Sequence, residues 1–153
     1  MSIISAEGVG DTRRDASIKL TIIARQLRAR FDEMAVDIGV TRSQWRAIAV
    51  ISRFPGASQR AIAEHLEITE VSAGRLVERL AADGLVERRK HGADKRTLAI
   101  FLTAKGAKLT DSLDELAKRA ETIAWQGFDE EAMVQLNGYL DRLRDNLVRP
   151  EED

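Results

Sequence analysis

The chain of 153 residues suits one domain, or one domain with an accessory helical layer; 44% is apolar, enough for a core, and 32% is charged. It has no cysteine, which excludes a disulfide framework, thiolate metal ligands and thiol redox sensing. The formal charge of −1 hides an uneven spread: residues 1–40 are neutral, 41–68 carry +2, 69–110 carry +4 and 111–153 carry −7, the pattern expected when one face meets phosphates and the opposite end does not.

Residues 1–13 lack apolar periodicity and are expected to fray. Met1–Gly10 also lack the basic-then-apolar order of a signal peptide. No apolar run approaches the ~18 residues of a membrane span, so the cytoplasm is the expected location and no membrane is expected as a partner. A first helix is predicted over Arg14–Ile38, with Leu20, Ile23, Ala24, Leu27, Phe31, Met34, Ala35 and Ile38 on one stripe. Gly39 stops it, because glycine takes the left-handed conformation without a steric cost. Thr41 and Gln44 form a capping box for a second helix, whose predicted buried face is Trp45, Ile48 and Ala49. Phe54-Pro55-Gly56 breaks it. Ser58 caps a third helix, Gln59–Leu66, with Ile62 and Leu66 inward. Thr69 caps a fourth, running to about Ala82, with Ala73, Leu76, Val77 and Leu80 inward.

After Asp83-Gly84 the period changes. Leu85–Arg89 and Thr97–Leu102 read as two strands, the second with Leu98, Ile100 and Leu102 on one face. The polar stretch Lys90–Arg96 is the turn between them. Thr103 then caps a fifth helix carrying Leu109, Leu113, Leu116, Ala120 and Ile123. Asp129 starts a sixth, in which Met133, Leu136, Leu140, Leu143 and Leu147 have the spacing of a helix–helix seam. The predicted class is mainly α with a small β-hairpin, in the order α-α-α-α-β-β-α-α. Residues 41–103 form a winged helix-turn-helix, and residues 14–38 and 104–148 are dimerisation helices. Long end helices with unburied stripes are most economically buried by packing on one another and on a two-fold partner. A self-contained bundle is the alternative.

In such a head the fourth helix enters the major groove of double-stranded DNA, N-terminal end first. Its apolar stripe turns Ser72, Arg75 and Arg79 outward, with Thr69, Glu70 and Val71 at the leading end. Arg75 fits base reading, since its planar fork can donate twice to guanine. Ser72 can serve bases or phosphate, Val71 can meet a thymine methyl, and Arg79 is placed for phosphate. Ser58 and Gln59 open the third helix, where free backbone N–H groups also suit a phosphate. The blander possibility is that Thr69 and Ser58 only cap their helices, while Arg75 and Arg79 pair with Glu78 or Asp83. Arg88, Arg89, Lys90, Lys95 and Arg96 surround one turn with positive charge. That charge disfavours strand pairing and suits DNA. Arg96 is the minor-groove candidate, Lys90 and Lys95 are DNA contacts, and Asp94 stabilises the wing.

The segment from Ser58 to Gly106 resembles the multiple antibiotic resistance regulator (MarR) family. The resemblance rests on Ala61–Leu66, Val71–Leu80, Asp83–Arg88, Asp94-Lys95-Arg96 and Leu102–Gly106, in that order and spacing; the flanking helices match in arrangement only. It implies a homodimer joined through its terminal helices and straddling a pseudo-palindromic operator. It implies major-groove positions for Ser72 and Arg75, and a wing-tip role for Arg96. Members typically repress, and many release DNA when a small aromatic or phenolic anion binds between the dimerisation and DNA-binding parts. The oxidation-sensing branch uses cysteine, from which this chain departs. The resemblance implies neither enzyme activity nor a cofactor.

An effector pocket, if present, is expected where the first, second and fifth helices meet, with Trp45 as stacking surface and Arg46 as carboxylate partner. Tryptophan on an apolar helix face usually packs in a core, which is the competing reading of Trp45. His65 and His91 lie on different elements, so no metal site is expected. No phosphate loop, carboxylate pair or nucleophile–histidine pair suggests an enzyme. The main alternative function is a winged-helix protein–protein interaction module without DNA binding.

Overall fold

The computed structural model describes residues 12–90 and 98–148. Its elements are α1 (Thr12–Asp37), α2 (Arg42–Arg53), β1 (Ala57–Ser58), α3 (Gln59–Leu66), α4 (Glu70–Ala82), β2 (Val86–Lys90), β3 (Leu98–Leu102), α5 (Ala104–Ala124) and α6 (Glu130–Leu147). The helix starts obey local chemistry. Thr41 and Gln44 complete the reciprocal capping box of α2. Ser58, Thr69 and Asp129 each accept from the backbone N–H three residues on, and the Gly106 N–H bonds Thr103 Oγ1 at 3.1 Å. Gly39 closes α1 at a φ of +79°, where a side chain would strain the backbone. Thr12 and Arg13 are helical, so the first helix begins two residues before its predicted start.

The hairpin is part of a three-stranded antiparallel sheet in the order β1-β3-β2. β1 was not expected: two residues, Ala57 and Ser58, show no period and become a strand only by pairing with Ile100 and Ala99. Lys90 belongs to β2, opposite Leu98, and not to the turn. Strict alternation along β3 also fails: Leu98 is exposed, while Ala99 and Ile100 are both buried. Neighbours on either side cover the middle of this central strand, whereas Leu98 sits at its open end.

Ile48 and Ile51 of α2, Ile62 of α3, Val77 and Leu80 of α4 and Ile100 of β3 are each at most 1% exposed and make one core. At roughly 1.5–3 kcal/mol per buried aliphatic side chain, this cluster dominates the head's stability. Leu113 and Leu116 of α5 join it. In α2 the buried positions are Ala47, Ile48 and Ile51. Ala49, predicted inward, is exposed, and Trp45 is half-buried. The chain divides into two compact units, one ending at Ala120 and the other beginning at Glu121. In the second, Trp125 meets Phe128 edge-on at 5.6 Å, and α6 has no buried residue.

Candidate nucleic-acid interface

The approach of α3 to α4 is set by Gln59. Its Nε2 donates to the Glu70 carbonyl at 3.2 Å, and a Cβ placed on Gly74 would lie 2.8 Å from that same nitrogen. A glycine in mid-helix costs roughly 0.5–1 kcal/mol relative to alanine, and here it makes room for the glutamine amide. Gln59 is therefore engaged with the first turn of α4, and Ser58 Oγ accepts from the Ala61 N–H at 3.1 Å. Thr69 Oγ1 accepts from the Ser72 N–H at 3.1 Å and donates to Ser72 Oγ at 2.8 Å. That leaves the Ser72 hydroxyl proton free to donate outward.

Burying Ala73, Gly74, Val77 and Leu80 turns the opposite side of α4 to solvent. Glu70, Val71, Ser72, Arg75 and Arg79 are all exposed, Val71 at 66%. Among the described residues, Arg75 and Arg79 have no ion pair or side-chain hydrogen bond; neither Glu78 nor Asp83 takes them. Two unpaired guanidinium groups one turn apart are free to meet an acidic partner.

The sheet divides the cations that the sequence had grouped. Antiparallel partners share a face, so Arg88 and Lys90 lie with Ile100 and Leu98 on the helix side. Arg88 lines a groove there with Ser58, Gln59, Arg60, Glu70 and Glu78. Arg89 lies on the other face, ion-paired to Glu87 and 4.7 Å above the Phe101 ring. Only part of the expected charge cluster therefore faces one way. Alternation along β2 is the signal that separates Arg88 from Arg89 and places Arg88 at this groove; Arg60, on α3 and paired with Glu64 at 3.2 Å, lines the same groove. Asp94, Lys95, Arg96 and His91 lie outside the described residues.

A MarR family model matches residues 38–97. The HTH-type transcriptional regulator BilQ of Clostridium symbiosum is 35% identical over 96 residues, covering 63% of this chain and 67% of its own. The transcriptional regulator HosA of Escherichia coli O157:H7 is 31% identical over 110 residues, with 67% and 80% covered. The chain belongs to the MarR family. A crystal structure of a MarR/EmrR family transcriptional regulator from Acinetobacter sp. ADP1 superposes at a TM-score of 0.70 with 27% identity, over 90% of this chain and 97% of that one. This MarR-family chain is thus a DNA-binding transcriptional regulator of winged helix-turn-helix type. Among the described residues no helix is long and apolar enough to cross a membrane.

Where α1, α2 and α5 meet, a cleft of about 450 Å³ opens, lined by Phe31, Trp45, Ala49, Arg53, Leu113 and Asp114 among others. Trp45 stands at its wall, edge-on to Phe31 at 4.8 Å. Arg46 does not line it. Its Nη2 donates to the Leu66 carbonyl at 3.3 Å, because the residue after Trp45 points about 100° away around the helix. Arg53, two turns further on, is the cation at the cleft. Trp45 Nε1 also donates to Asp32 Oδ1 at 2.8 Å, and Arg42 Nε donates to Asp32 Oδ2 at 2.6 Å. Burial alone would raise the Asp32 pKa. The bonds from Arg42 and Trp45, with the charges of Arg42 and Arg28, outweigh it and hold the carboxyl below the ordinary aspartate range. The other histidine of interest, His65, stacks on Phe54 at 4.3 Å.

Proposed function

We propose that the protein is a homodimeric repressor that binds a pseudo-palindromic operator through two copies of α4 and the wing, and that a small aromatic or phenolic anion releases it. The observation that carries this reading is the outer row of α4, where Val71, Ser72, Arg75 and Arg79 are exposed and both arginines lack internal partners among the described residues. In this reading Arg75 and Ser72 meet base edges, and Thr69, Glu70 and Val71 border them. Arg79, Ser58 and Lys90 lie along the phosphates. Gln59 acts by holding the first turn of α4. Lys95 and Arg96 belong to the wing, which Asp94 stabilises. Residues 14–38 and 104–148 are the dimerisation helices flanking the 41–103 head, and the working compartment is the cytoplasm. The cleft beside Trp45 supports the effector part: it has an aromatic wall and a cation at Arg53.

The test is selection of duplexes from random DNA by the purified protein, followed by gel shifts over a salt series. The expected outcome is an inverted repeat whose affinity falls steeply with salt, as counterions are released from phosphates, and falls again when salicylate or 4-hydroxybenzoate is added. Recovery of no common sequence, with weak and salt-insensitive binding, would favour the protein–protein interaction module instead.

A further inference from the structure

Asp32 is the one α1 side chain that grips α2 at two points. Its oxygens are divided, Oδ2 to Arg42 and Oδ1 to Trp45, so the bonds reach residues three apart on one side of the first turn of α2. Only 18% of the Asp32 side chain is exposed, and the Trp45 ring adds a third contact on Phe31. A one-point contact would fix a distance, whereas this arrangement also fixes the rotation of α2 about α1. Ala35 and Val40, both buried in the core, and the Val40 N–H on the Ala35 carbonyl at 3.0 Å also hold the joint, and Asp32 adds the charged grip to that apolar contact. The connection between the helices runs through Gly39, and a Cβ built there would meet no atom within 4 Å. Downstream of the joint, α2 shares its buried face with α3 and α4 through Ile48, Ile51, Ile62 and Leu80. Any rotation at Asp32 is therefore carried to the recognition helix as a rigid turn.

We infer that Asp32 is a positioning residue that sets the angle of the reading head on α1, and so the half-site spacing the dimer accepts. This rests on the two-fold reading proposed above. One base pair added between half-sites moves them about 3.4 Å apart and turns them by about 35°. A stiff joint rejects that change and a loose one follows it.

The experiment measures affinity for a duplex selected by the wild-type protein, for the same duplex with one base pair inserted or deleted at its centre, and for a single half-site. For wild type, each spacer change is expected to cost about tenfold or more in affinity, comparable to one wrong base pair. For Asp32→Asn the spacer penalty is expected to fall to roughly threefold or less, with half-site affinity unchanged. Arg42→Gln, at an exposed position, gives the same comparison should the Asn variant fold poorly. A merely structural role would lower all affinities together and leave the spacer ratio intact, and that result would overturn the inference. A wild-type protein indifferent to spacing would overturn the two-fold reading itself, and the role of the clamp with it.

Discussion

Leu80, near the end of α4, and Leu147, the last residue of α6, each lie on an apolar row stepped by three and four. Leu80 is fully buried, however, while Leu147 is 73% exposed. Helices α2, α3 and α4 bury their apolar faces against one another and β3 within one chain, whereas α6 buries none of its residues. The same periodicity thus has two meanings. In the head it records a core already closed. In α6 it records a surface that a single chain leaves open, and that is the physical case for pairing.

The largest expected effect breaks the comparison if the two regions are alike. Leu80→Ala should cost about 2–5 kcal/mol of unfolding free energy in urea. Leu147→Ala should change single-chain stability by less than about 0.5 kcal/mol and instead raise the concentration at which the protein dissociates. Equal losses at both positions would erase the distinction.

Next come the exposed residues of the head. Arg75→Ala should lose about 1–3 kcal/mol of operator affinity and relax the preference at one base pair, while Lys90→Ala should weaken all duplexes alike and flatten the salt slope by about one. Identical profiles in a competition gel shift would contradict the division between base reading and phosphate contact.

A smaller effect tests the fit of Gln59 against α4. Gly74→Ala should destabilise the wild-type protein, because Gln59 must move. In a Gln59→Ala background the same change should stabilise by roughly 0.5–1 kcal/mol, since alanine is the better helix former. Thermal melts of the four proteins decide it; the same sign in both backgrounds would refute the contact.

The smallest effect is the acid response of Asp32. A carboxyl held below its unfolded value of about 3.9 contributes its full stabilisation above that pH and loses it as pH falls through the folded value. The stability difference between wild type and Asp32→Asn, measured in urea from pH 6 to 3, should therefore shrink toward acid. A constant difference would contradict the ion pair with Arg42.

Much of this was legible in the residues because caps and breakers act locally. Thr41 with Gln44, Ser58, Thr69 and Asp129 mark helix starts whatever surrounds them, and the outer row of α4 follows from its inner one. What escaped the sequence depends on partners distant in the chain. β1 is a strand only because β3 runs beside it. Arg46 turns to a carbonyl twenty residues away. Asp32 reads as one more surface acid on an amphipathic helix until Arg42 and Trp45 fold back onto it. The mid-helix Gly74 was visible as a departure from propensity, but its cause, the Gln59 amide, was not.

The claim on which the rest depends is that the core is complete in one chain and the apolar row of α6 is covered only in two. Sedimentation equilibrium of the wild-type protein over a wide concentration range tests it most directly. The account predicts a folded species of twice the 17.0 kDa chain mass that persists on dilution. A folded species of 17.0 kDa that binds its selected duplex as a single chain would contradict it.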